Sequence, residues 1–232
     1  MRAVLFDVDG VLLDSYAGYR EVWSRWCAAR DVDLELAWAA THGRKPVETV
    51  AEVAAHLDPE EEYAFLKQLL SAVGERFPAF PTAPALLQAL PSERWGVVTS
   101  GERQTVLRRF RLAGVPAPLV LVDGQDVSRG KPSPEGYLLA AHRLDLEPGA
   151  CLVVEDAPAG IAAGKAAGMT VLALATTHAA ADLGIADSHS PSLAEADAVI
   201  RAWVEGPQVA LLGVDAVPTT GTLLNRHGAL VG

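Results

Sequence analysis

From residue 82 onward, short apolar runs alternate with longer stretches of helical period. The spacing predicts helices over 82–90, 102–112, 133–146 and 157–167. Strands over 95–98, 119–122, 151–154 and 170–175 fall between them, and Val4-Leu5-Phe6 adds another near the start. Continuous apolar runs of this length, separated by helices, predict an α/β protein whose parallel sheet is covered on both faces. In such sheets the site lies beyond the carboxyl ends of the strands.

Residues 16–80 follow a different rhythm. Tyr19, Val22, Trp23, Trp26 and Cys27 recur at i, i+3, i+4, i+7 and i+8, the stripe of an amphipathic helix. Asp58-Pro59-Glu60-Glu61 has a capping acid, a proline at the first helical position and acids in the first turn. Leu66, Leu69, Leu70, Val73 and Phe77 are expected to continue the apolar face of that helix, and 46–57 makes a further one. The tryptophans suit a core better than a stacked cofactor. An all-helical insert over 16–80 is therefore expected between the first strand and the rest of the sheet. A core of 1–15 and 81–214 surrounds it, with 78–84 as the return hinge. Near the end, 193–204 reads as a helix and 209–214 fits a last strand. Residues 217–232 carry no period and suit a loop, an edge hairpin or a disordered tail; the tail, 215–232, is assigned no role.

Half of the 232 residues are hydrophobic and 21% are charged, enough for a proper core. The net charge of -10 argues against a nucleic-acid partner, but not against a small anionic substrate held by local cations. Cys27 and Cys151 stand in apolar contexts and read as buried thiols of a reducing compartment. Asp7 breaks the first apolar run, which argues against a signal peptide, and no stretch nears the roughly 20 apolar residues of a membrane span. A cytosolic, soluble monomer without membrane contact is the expectation.

Four segments carry chemistry. In Phe6-Asp7-Val8-Asp9-Gly10 an apolar strand ends in two aspartates one residue apart. Two solvated acids at a strand end are one explanation. The other is phosphoryl transfer, in which one carboxylate attacks phosphorus and the other handles the proton of the leaving oxygen. Val98-Thr99-Ser100-Gly101 offers hydroxyl and backbone donors to an anion, or simply caps a helix. Gly130-Lys131-Pro132 fixes an ammonium between residues that restrict the backbone, placing it to neutralise a phosphoryl group. Val154-Glu155-Asp156-Ala157-Pro158 ends a second strand in acids. Asp7 and Asp156, with the carbonyl of Asp9, would suit Mg2+, which takes oxygen ligands and keeps waters.

With these four motifs in order over nearly its whole length, the chain resembles the haloacid dehalogenase-like phosphohydrolases. The resemblance implies a Rossmann-like core with an inserted helical cap, and hydrolysis through a phospho-aspartate. It makes Asp7 the nucleophile and Asp9 the acid and then the base. Thr99, Ser100 and Lys131 would hold phosphoryl oxygens, with Asp7, Asp9 and Asp156 on the metal and Glu155 supporting the metal shell through water. The aspartate at position 9 separates the chain from dehalogenases and phosphonatases. The insert is similar to the cap of beta-phosphoglucomutase and of small sugar- or glycerol-phosphate phosphatases. From the residues alone, Thr41-His42-Gly43-Arg44-Lys45-Pro46 reads as an exposed basic turn or a substrate loop. The resemblance favours substrate contact by His42, Arg44 and Lys45, in the manner of the phosphatases. Beta-phosphoglucomutases carry a histidine where this chain has Tyr19, which argues against a mutase. The expectation is a magnesium-dependent phosphatase of a small sugar or polyol phosphate, with a hexose-phosphate mutase or a non-catalytic binding module as the alternatives.

Overall fold

Residues 1–74 and 77–206 are described by the structure, a computed structural model. Six strands make one wholly parallel sheet: β1 (Ala3–Phe6), β2 (Trp95–Val98), β3 (Val120–Val122), β4 (Cys151–Glu155), β5 (Thr170–Leu174) and β6 (Ser188–Ser190). Their spatial order is β3-β2-β1-β4-β5-β6. The chain thus winds outward from β1 in both directions, which is the doubly wound, Rossmann-like arrangement. Leu5 pairs with Gly96 on one side and with Val153 on the other, so β1 is central.

The pleat divides the apolar residues between two cores. Val4 and Phe6 face one cluster, built with Leu86 of α5 (Ala83–Ala89), Phe110 of α6 (Arg103–Ala113) and Ile200 of α9 (Leu193–Glu205). Ala3 and Leu5 face the other, with Tyr137 of α7 (Glu135–Arg143) and Ile161 of α8 (Pro158–Ala166). Both faces of β1 are fully buried. That explains why its sequence reads as a continuous apolar run rather than an alternation.

Between β1 and α5 the chain forms α1 (Tyr16–Arg30), α2 (Leu34–Thr41), α3 (Pro46–Val53) and α4 (Pro59–Val73). Val22, Trp23, Trp26, Trp38, Val50 and Leu66 give these helices a cluster of their own. The tryptophans are core residues: Trp26 Nε1 donates to the buried Glu62 at 2.7 Å, which also accepts from Arg30 at 2.8 Å. Asp58 caps α4 as its sequence predicts, accepting from the backbone of Glu60 and Glu61.

Several details depart from the sequence expectation. α4 stops at Val73 rather than continuing its apolar face to Phe77, because Gly74 follows in a positive-φ conformation. Phe77 instead packs into the sheet cluster. α3 ends at Val53, short of 57. α2 and β6 were not foreseen; β6 reads Ser-His-Ser and carries no apolar signal. The strand expected over 209–214 and the segment 215–232 lie outside the described residues. Among the described residues no helix is long and apolar enough to cross a membrane.

Candidate active site

The carboxyl ends of β1 and β4 lie side by side at the point where the strand order reverses, and the acidic motifs emerge there. Asp7 follows β1, its backbone N–H still donating to Val154 of the neighbouring strand at 3.0 Å. Asp156 follows β4. Oxygens of Asp7, Glu155 and Asp156 lie within 4.8 Å of one another, all three residues buried. Gly10 allows this approach: it has φ +84, and a Cβ there would stand 2.1 Å from Asp156 Oδ2.

Lys131 is the cation at the centre. Its Nζ donates to Asp7 Oδ1 at 2.5 Å and to Glu155 Oε1 at 2.6 Å. Glu155 is fully buried and fully engaged. Oε1 also accepts from Tyr137 OH at 3.0 Å, while Oε2 accepts the backbone N–H groups of Asp156 and Ala157. These contacts fix Lys131 and the start of α8, and Glu155 stands in the same acidic group as Asp7 and Asp156.

The electrostatics follow from burial. Desolvation pushes the Asp7 carboxyl up to about 7, with Lys131 opposing and Glu155 and Asp9 adding to the rise. Asp156 is raised well above the ordinary carboxylate range by burial and then by Glu155 and Asp7. Burial works against the Lys131 ammonium, yet Asp7 and Glu155 together outweigh it and hold its pKa well above the usual value. Three crowded carboxyl groups against one ammonium gather hard oxygen donors that burial holds back from ionising without a further cation. That donor set fits a magnesium ion, which prefers oxygen and binds through one or two carboxylates.

Above this cluster lies a cavity of about 180 Å3. Asp7, Asp9, Thr99, Ser100 and Asp156 line it from the sheet side, and His42 and Arg44 from the helical segment. Thr99 is buried, and its Oγ1 accepts from Gly101 N at 3.1 Å, which leaves its O–H to donate. Ser100 Oγ donates to Gly43 O at 2.8 Å and so ties the motif to the helical segment. Arg44 pairs with Glu52. Lys45 turns away from the cavity: its Nζ donates to Val127 O at 2.9 Å, bridging the two parts of the molecule. His42 packs edge-on against Trp38 and His178, with ring centroids 4.8 and 4.5 Å apart. Burial and then His178 push its pKa down to about 4.

Several residues of the site carried weaker sequence signals. Thr177 donates to Asp156 Oδ2, and Thr176 to Gly10 O at 2.5 Å. Two hydroxyls just past the carboxyl end of a strand were the available clue. Arg109 is buried beside Asp9. Its clue is a charge in the apolar stripe Val106, Arg109, Phe110 of α6. Tyr19 was read as part of an apolar stripe and touches both the helical and the sheet cluster.

A sequence model described as "Hydrolase: haloacid dehalogenase-like hydrolase" matches residues 1–168. Hexitol phosphatase A of Escherichia coli is 37% identical over 205 residues, covering 86% of this chain and 90% of that protein. Glycerol-1-phosphate phosphohydrolase 2 of Saccharomyces cerevisiae is 35% identical over 189 residues, 76% of each. Among solved structures, a HAD family hydrolase from Deinococcus radiodurans with bound phosphate and sodium is similar with a TM-score of 0.65 and 30% identity. It covers 89% of this chain and 99% of its own.

Proposed function

The chain belongs to the haloacid dehalogenase-like hydrolases, and from that premise we propose that it is a phosphatase of small sugar or polyol phosphates that works through a phospho-aspartate on Asp7. The observation that carries the reading is Asp7 itself. It is a buried carboxylate held by Lys131 at the floor of a cavity that Asp9 and Thr99 also line. The relatives are named as phosphatases of a hexitol phosphate and a glycerol phosphate, which supports the substrate class.

In the first half-reaction a carboxylate oxygen of Asp7 attacks phosphorus, and the bond from phosphorus to the ester oxygen breaks. Asp9 gives its proton to that departing oxygen, so the leaving group departs as a neutral alcohol. In the second half, Asp9, now ionised, takes a proton from water. The water oxygen attacks phosphorus, the bond to Asp7 breaks, and inorganic phosphate leaves. Thr99 O–H and the Lys131 ammonium donate to phosphoryl oxygens in both halves. Asp7 and Asp156, with the carbonyl of Asp9, would hold a magnesium ion whose charge offsets repulsion between the carboxylates and the phosphoryl group. Glu155 keeps Lys131 in place. The four helices α1–α4 act as a cap that excludes water, with His42 and Arg44 on the substrate side. Lys45 serves instead as a tie between cap and core.

Phosphate release tests this across glycerol 3-phosphate, 2-deoxyglucose 6-phosphate, glucose 6-phosphate, phosphoglycolate and beta-glucose 1-phosphate, with magnesium and with EDTA. Release from a polyol or sugar phosphate that EDTA abolishes is expected. Conversion of beta-glucose 1-phosphate to the 6-phosphate on addition of a bisphosphate primer, with no release from any ester, would replace the phosphatase by a mutase.

A further inference from the structure

Among the described residues, the reaction above leaves a buried cation beside the site unused. Arg109 projects from α6 with 2% of its surface exposed. Its Nη1 donates to Tyr19 OH at 2.6 Å and stands 3.9 Å from Asp9 Oδ1. The guanidinium lies over the Phe77 ring, 4.7 Å from its centroid. Nε and Nη2 are buried and meet no acceptor, although the residue lines the cavity. Asp9 Oδ1 is buried and unmatched in the same way.

Arg143, which is partly exposed, still meets Asp126 and the Leu121 carbonyl with both of its Nη atoms. A buried fork with donors left over is unfavourable unless a ligand brings acceptors. The unmatched set is mixed, with two donors on Arg109 and one acceptor on Asp9. A hydroxyl group accepts and donates, and so suits both. A carboxylate or second phosphate offers acceptors alone, and would bring negative charge beside Asp9 and close to Asp7. Position agrees: Asp9 serves the ester oxygen in the reaction above, and Arg109 stands next to Asp9 on the same cavity.

We propose that Arg109, braced by Tyr19, is a specificity-determining residue that binds the hydroxyl on the carbon beside the ester, so that polyol phosphates are selected over esters lacking it. The inference rests on the phosphatase reading above. It is tested by kcat/KM for glycerol 3-phosphate and sorbitol 6-phosphate, and for analogues of each without that hydroxyl. Phosphoglycolate serves as the anionic probe and p-nitrophenyl phosphate as a reporter of bare turnover. The wild type is expected to favour at least one polyol phosphate over its deoxy analogue by about tenfold or more, because a site built for a hydroxyl is left unpaired without it. Arg109→Met should bring that ratio close to one, and Tyr19→Phe should lower it in part. If the methionine variant does not fold, Arg109→Lys makes the same test, since it keeps the charge and loses the fork; the ratio must fall there too. A wild type indifferent to the hydroxyl overturns the inference, as does an Arg109 variant with an unchanged ratio. So does a preference for phosphoglycolate that the substitution removes. Turnover of none of the esters, p-nitrophenyl phosphate included, sinks the phosphatase reading along with it, whereas turnover without discrimination sinks this inference alone.

Discussion

Asp7 and Lys131 are bound to one another, yet their removal should affect stability in opposite directions. Burial raises the Asp7 pKa to about 7, so its ionised form is held there against desolvation and against the charges of Glu155 and Asp9. Asp7→Asn removes that conflict and keeps the shape. It is expected to lower turnover by about a thousandfold or more, since the nucleophile is gone, while the melting temperature stays at or above that of the wild type. Lys131→Met removes the cation and leaves Asp7 and Glu155 buried together. Breaking such a pair from one side costs about 3 kcal/mol or more, so this variant should lose both activity and stability. Denaturant titration of the two variants beside an activity assay checks the contrast; a Lys131→Met protein as stable as the wild type would contradict it. These residues were legible in the sequence because a carboxylate ending an apolar run is costly without a partner. Arg109 was not, because α6 carries Arg103, Arg108, Arg109 and Arg111, and their number hides the one that is buried.

Elements were legible where burial was continuous and illegible where side chains from elsewhere supply the burial. β2 spans Trp95–Val98 as its apolar run predicts, because that strand is buried on both faces. β6 escaped because a strand of two serines and a histidine, at the end of the sheet among the described residues, has nothing apolar to display. The end of α4 escaped because Phe77 keeps the helical spacing while belonging to another core. α8 shows what an element contributes to the site beyond its position. Gly160 stands in its first turn, and a Cβ there would lie 1.7 Å from Glu155 Oε1. The helix can begin against the Glu155 carboxylate only because the side chain is missing. Gly160→Ala must push Glu155 away from Lys131 and Tyr137, at a cost of about 3 kcal/mol in overpacking and lost hydrogen bonds. A fall in kcat should accompany it, because Lys131 loses one of its two carboxylate anchors. Gly149→Ala is the control: a Cβ there meets nothing within 4 Å, and its stability should be unchanged. Equal melting temperatures for the Gly160 and Gly149 variants would refute the argument.

At the scale of the molecule, the site depends on a polar seam between the four helices and the sheet. Ser100 meets Gly43, Lys45 meets Val127, Glu48 accepts from Gly130 N at 3.0 Å, and Tyr63 and Lys67 both donate to Glu102 at 3.1 Å. These polar contacts run beside apolar ones, since Tyr19 and Leu70 pack against the sheet cluster as well as the helical one. The contact of His42 with His178 adds an imidazole pair to the seam. Burial and the neighbouring imidazole hold His42 at about 4, against 6.5 for the free side chain. The unfolded chain therefore takes up the proton first as pH falls, and the folded form follows only near pH 4. Stability from the neutral His42 is complete above about 6.5 and is lost progressively between there and 4. His42→Phe keeps a ring against Trp38 and His178 and removes the titration. The wild type should lose several more degrees of melting temperature than His42→Phe between pH 6.5 and 4.5, and the two should run parallel from pH 7 to 8.5. Parallel curves over the acid range as well would mean that the seam does not feel the His42 proton.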